Sequence, residues 1–141
     1  MTITPNQIEL VQRTFAQVAT IPDTVANLFY TRLFELDPSL RPMFKGDMGE
    51  QGRKLLQLIA YAVRSLQDVP SIVPAVQALG ERHVAYGVTR EHYNTVGAAL
   101  LWTLEQGLKQ DFTPEVKDAW LAVYTLLVQT ATENAYAVEA I

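Results

Sequence analysis

The sequence contains no cysteine in its 141 residues. Disulfides, thiolate zinc sites and cysteine nucleophiles are therefore excluded together, and the composition fits a reducing compartment. Basic clusters are also missing. Eleven Lys and Arg stand against fifteen Asp and Glu, for a net charge of −4. Nucleic acid is not expected as a partner, because phosphate recognition needs clustered cations. No stretch approaches the ~20 apolar residues of a membrane span. The N-terminal segment MTITPNQIEL has no basic region leading into an apolar run, so no signal peptide is expected. A single cytoplasmic domain over 1–141 is the expectation, with no membrane partner. Histidine is scarce too: His83 and His92 are the only two.

What remains is helical patterning. Thr4-Pro5-Asn6-Gln7 has a capping residue, a proline suited to the first helical position, and a Gln three residues after the cap. Ile8, Val11, Phe15 and Val18 follow at helical spacing. A second helix runs from Ile21-Pro22-Asp23 to Leu36, where Asp37-Pro38 stops it, since a residue before proline is forced out of the α region. A short turn over Ser39–Phe44 precedes KGDMGEQG, the loosest stretch, with Gly46, Gly49 and Gly52. A third helix is expected from Gln51 to about Gln67, and a fourth from Val69-Pro70-Ser71 to near Gly87. Thr89 and Thr113-Pro114 open the last two, which are the longest. No segment alternates as a strand does. The fold class is all-α, with about seven helices, and a long antiparallel pair after shorter helices fits a globin-like layout. Pattern alone does not separate that from other helical bundles.

Three segments add a resemblance: LFYTRLFELDPSLRPMF (28–44), QGRKLLQLIA (51–60) and LGERHVAYGVTREHYNTVGAALL (79–101), with DAW at 118–120. In these the chain resembles bacterial single-domain globins, the globin domain of flavohaemoglobins and, more loosely, neuroglobins. The similarity spans nearly the whole chain and implies a globin fold of about seven helices around a haem b pocket.

Each candidate residue has a bland reading and a functional one. A lone histidine such as His83 is ordinarily a polar residue on a helix surface. The resemblance makes it the proximal ligand of haem iron, its other ring nitrogen donating to a backbone carbonyl one turn earlier, near Leu79. Tyr30 could be a core tyrosine bonded to a backbone carbonyl, and Gln51 a solvated surface residue. The resemblance implies instead that both donate hydrogen bonds to a diatomic ligand on the distal side. Gln51 and Leu55 share a helix face at i and i+4. Phe44, Leu55, Val88 and Val96 are implied as pocket lining. Lys54 and Arg82 either pair with haem propionates or stand solvated. His92 is read as structural or solvent-facing.

Tyr93 matches a flavohaemoglobin tyrosine whose proximal hydrogen-bond network ends on a glutamate of the last helix. Here that place falls on Ala135, and the nearest acid, Glu133, lies about 200° around the helix. This departure weakens the case for peroxidase-like chemistry and leaves reversible ligand binding standing. With no third histidine, bis-histidine coordination is not expected. Tyr30 or Gln51 would be the better sixth ligand in the ferric state.

The leading expectation is thus a haem protein that reversibly binds O2, NO or CO, suited to oxygen transport or storage. The alternative is a nitric oxide dioxygenase, which converts NO and O2 to nitrate and would depend on a separate reductase. A haem-based gas sensor is a weaker reading. A haem-free helical module would have shown itself by loss of His83. Finally, Gly49 and Gly52 around Gln51 lead to the expectation of a mobile distal gate.

Overall fold

A computed structural model describes residues 3–44, 46–85 and 89–132. Among them are six α-helices: α1 Pro5–Val18, α2 Pro22–Leu36, α3 Met48–Arg64, α4 Val69–Ala85, α5 Arg90–Leu108 and α6 Pro114–Thr132. A 3-10 helix, Pro38–Met43, joins α2 to α3, and two shorter ones follow α3 and α5. No strand occurs among the described residues. The expected all-α fold of about seven helices is what the chain adopts, with α5 and α6 the longest at 19 described residues each.

Local chemistry accounts for most helix ends. The Thr4 hydroxyl accepts from the Gln7 N–H at 3.1 Å, and the Gln7 side chain accepts from the Thr4 N–H at 3.0 Å. This reciprocal pair is the capping box anticipated from the sequence. α2 stops at Leu36, with Asp37 in extended backbone before Pro38. Thr113 accepts from the Val116 N–H at 3.2 Å and caps α6.

α3 differs from expectation. It begins at Met48, not Gln51, because the Asp47 carboxylate accepts from the Gly49 N–H at 3.0 Å and caps the helix three residues earlier. Gly49 and Gly52 therefore lie inside the first turns of α3. Each glycine costs about 1 kcal/mol relative to alanine in a helix. At Gly52 close packing offsets that cost: a Cβ there would stand 2.8 Å from the Ala26 Cβ on α2. The glycine permits a tight α2–α3 crossing.

The main core forms where α1, α3, α5 and α6 converge. Val11, Val63, Leu104, Val116, Ala119, Trp120 and Val123 are all at most 4% exposed. Inside it the Trp120 indole N–H donates to the Thr14 hydroxyl at 2.9 Å, and that hydroxyl donates to the Leu10 carbonyl at 2.6 Å, so the buried polar atoms are partnered. α2 packs chiefly on α5 and α3, and α4 on α6. No helix among the described residues is long and apolar enough to cross a membrane.

Candidate functional site

The residues singled out in the sequence fall on two walls. The first is built by α2, the Pro38–Met43 turn, α3 and α5. Phe29, Tyr30, Leu33, Leu40 and Ala99 form its buried centre, and Phe44, Leu55 and Val96 pack against them, half-buried. Aromatic edges set the geometry. The Tyr30 ring meets Phe29 at 5.1 Å and Phe44 at 5.4 Å, both near perpendicular, and lies stacked against Phe34 at 6.1 Å. Tyr30 is thus wedged by rings, while its hydroxyl reaches α3.

There the hydroxyl donates to the Gln51 backbone carbonyl at 3.4 Å. Such a bond is long, since O–H···O bonds cluster near ~2.7–2.8 Å. Burial pushes the Tyr30 phenol up to about 12, a side-chain hydrogen bond with Gln51 opposing part of the shift. The phenol therefore stays protonated, a hydrogen-bond donor, throughout the neutral range. Gln51 is half-buried.

The second wall is α4. Its helix is held on α6 at Gly80, where a Cβ would overlap the Ala131 carbonyl and come within 2.7 Å of that carbonyl's carbon. Ile72, Val76 and Ala131 form a small buried cluster there, with Tyr61 and Leu127 against it. One turn beyond Gly80 stands His83, half-buried. Its Nδ1 lies 2.7 Å from the Leu79 carbonyl oxygen. A carbonyl only accepts, so Nδ1 carries the proton and Nε2 is the basic nitrogen. The partner is the one the sequence led us to expect.

Tyr93 on α5 links the walls. Its ring is 6.2 Å from that of His83, tilted by 36°, and Val96 follows it on the same helix. The Tyr93 carbonyl accepts from the Tyr124 hydroxyl at 2.5 Å. Tyr124 is seated over Gly97, where a Cβ would come within 2.7 Å of its ring. Burial, then the neighbouring Tyr93 phenol, raise the Tyr124 pKa strongly, so the Tyr124 phenol remains neutral. This contact was not legible in the sequence, where Tyr124 is one more apolar-face residue of α6.

Other candidates fall as follows. Lys54 and Arg82 are exposed on α3 and α4, beside Leu55 and His83 in sequence. The Nδ1 of His92 accepts from the Thr89 N–H at 3.0 Å, a helix-capping role that matches its structural reading. Val88, Glu133 and Ala135 lie outside the described residues.

This arrangement fits a flat prosthetic group bearing one open metal. α3 packs on α2 and α1, α4 on α6, and no extended packing joins α3 to α4 among the described residues. Tyr93 and Val96 of α5 connect the two: Tyr93 lies 6.2 Å from the His83 ring, and Val96 packs in the cluster that holds Tyr30, Phe44 and Leu55. Nor is there, among the described residues, a group of three or more His, Asp or Glu that could hold a bare ion. A single oriented imidazole is the donor set of an axial ligand.

Comparison with known proteins gives the class. The globin family profile matches residues 27–131. The chain is 31% identical to neuroglobin of Chaenocephalus aceratus over 121 residues, covering 76% of each chain. It is 28% identical to the flavohemoprotein of Vibrio cholerae serotype O1 over 130 residues, 90% of this chain and 33% of that protein. It therefore spans about a third of the length of the flavohemoproteins it matches. In fold it superposes on a bacterial globin from Campylobacter jejuni with a TM-score of 0.83 at 24% identity, covering 98% of this chain and 100% of that one. An engineered carbene transferase from Rhodothermus marinus superposes with a TM-score of 0.86 at 22% identity, covering 99% and 97%. The chain belongs to the globin family, and among its relatives are the flavohemoproteins.

Proposed function

We propose that this globin binds haem b through His83 and reversibly takes up O2 and other diatomic ligands, NO and CO, at a distal site formed by Tyr30 and Gln51. The observation that carries the reading is the 2.7 Å bond from His83 Nδ1 to the Leu79 carbonyl, which supports the tautomer whose Nε2 would ligate iron. When bound, haem supplies an iron with one coordination position for a small ligand. The chain supplies the rest.

Phe44, Leu55 and Val96 would line the apolar side of the haem and exclude water, lowering the local dielectric in which polar contacts act. Tyr93 packs against the His83 ring and keeps its plane. The Tyr30 hydroxyl makes a long bond of 3.4 Å to the Gln51 carbonyl. It can exchange that weak bond for a stronger one to a ligand carrying partial negative charge, and the Gln51 amide offers a second donor. Each such bond is worth ~1–3 kcal/mol. Lys54 and Arg82, exposed cations on the two walls, would pair with the propionates in this reading.

The likeness to flavohemoproteins favours a second reading, in which O2 and NO combine to nitrate and a separate reductase supplies the electron that restores the ferrous state. Both readings share the same site. Absorption spectra of the purified protein, ferric, reduced and with CO, beside His83→Ala, test what they share. The expected result is a Soret band that shifts on reduction and on CO addition, and that weakens or changes type in the variant. A wild-type chain that takes up no haem would overturn both readings.

A further inference from the structure

A cleft of about 350 Å3 lies between the first turns of α2 and α3, one helix face round from Gln51 and Leu55. Asp23, Asn27 and Arg53 stand exposed at its mouth, while Ala26 and Gly52 are buried at its floor. Very little separates this floor from Tyr30. A Cβ on Gly52 would stand 2.8 Å from the Ala26 Cβ and 3.9 Å from Tyr30 Cε2. Glycine and alanine are the two residues here with the least side chain, and the ring of Tyr30 lies just behind them.

Met48 belongs to both sides. It lines the cleft and also packs, half-buried, against the cluster that holds Tyr30, Phe44 and Leu55. An unbranched side chain with three rotatable bonds can swing without moving backbone. We propose that this cleft is the path by which small apolar gases reach the Tyr30 side of the site, with the Met48 side chain as its gate. The inference rests on the ligand-binding reading above. Its chemistry is that of the passage: an apolar floor suits an uncharged diatomic, and polar residues at the mouth keep the opening in water. Volume is no obstacle, since a molecule of water size occupies ~30 Å3.

A path residue alters the barrier and leaves both end states alone. Association and dissociation must then change by the same factor, and affinity must not. The test is flash photolysis of the CO complex in Asn27→Trp, which fills the mouth, and in Met48→Ala, which removes the gate. Xenon-pressurised crystals of the same proteins give the second readout. We expect CO association to slow about tenfold in Asn27→Trp, with dissociation following in step, and to quicken severalfold in Met48→Ala. Xenon should occupy the cleft of the parent and not that of Asn27→Trp. Association unchanged within about twofold in both variants, or a change in Asn27→Trp confined to affinity, would overturn the path. So would xenon that never enters the cleft. A chain that forms no CO complex at all would instead refute the haem reading, and the xenon position would still decide the cleft.

Discussion

The two walls of the site are docked by the same device with unequal tolerance. On the distal side Gly52 lets α3 approach α2, and what a Cβ would meet is the methyl of Ala26. On the proximal side Gly80 lets α4 approach α6, and what a Cβ would meet is the backbone carbonyl of Ala131. The Ala26 methyl is bonded directly to the α2 backbone and the Ala131 carbonyl is α6 backbone itself, so the two differ in the depth of the overlap. Both contacts therefore need a shift of helix backbone, a larger one at Gly80, where the Cβ would overlap a carbonyl, than at Gly52, where it would stand 2.8 Å from a methyl. On the proposed reading this difference bears on function, since the deeper overlap lies on the side of the residue proposed as iron ligand.

Substitution at the two glycines should break the comparison most sharply. Gly80→Ala forces α4 off α6 and should cost roughly 3 kcal/mol or more, with loss of haem retention because His83 moves with its helix. Gly52→Ala should cost about 1–3 kcal/mol from overpacking, reduced by the ~1 kcal/mol that alanine gains over glycine in a helix. Urea unfolding of both variants, followed by helical circular dichroism, measures the order. Equal losses would mean that the proximal crossing is no stiffer than the distal one.

Ionisation sharpens the comparison with a smaller effect. The Tyr30 phenol is pushed from 10.0 in the unfolded chain up to about 12 in the folded one. Its contribution to stability is complete below pH 10 and is lost as pH rises toward about 12, because there the unfolded chain releases a proton that the folded one retains. Tyr124 acts in the same direction. Stability measured across this window should fall less steeply in Tyr30→Phe than in the parent. Tyrosinate absorbance should show the folded parent ionising late at these positions.

Much of this molecule could be read from its residues, and the reasons for the exceptions are physical. Helix ends that depend on neighbours in sequence were legible: Thr4 with Gln7, Asp37 before Pro38, Thr113 before Pro114. So was the His83–Leu79 bond, which spans one helical turn. The start of α3 was misplaced because glycine at 49 and 52 argues against a helix, while the Asp47 cap and the Ala26 contact outweigh that preference. Gly52 and Gly80 could not be assigned as close-approach residues, since what each one meets lies on another helix. Tyr124 carries no local mark of its bond to Tyr93, 31 residues away.

The most direct test of the distal account is the dissociation of O2 compared with that of CO in Tyr30→Phe. Bound O2 draws negative charge that a hydroxyl stabilises, and CO draws little, so losing one donor should affect the two ligands unequally. The account predicts O2 release faster by about tenfold or more, as befits a bond of ~1–3 kcal/mol, with CO release changed far less. Equal changes for both gases, or no change in O2 release, would contradict it and leave Tyr30 as one more aromatic ring of the core.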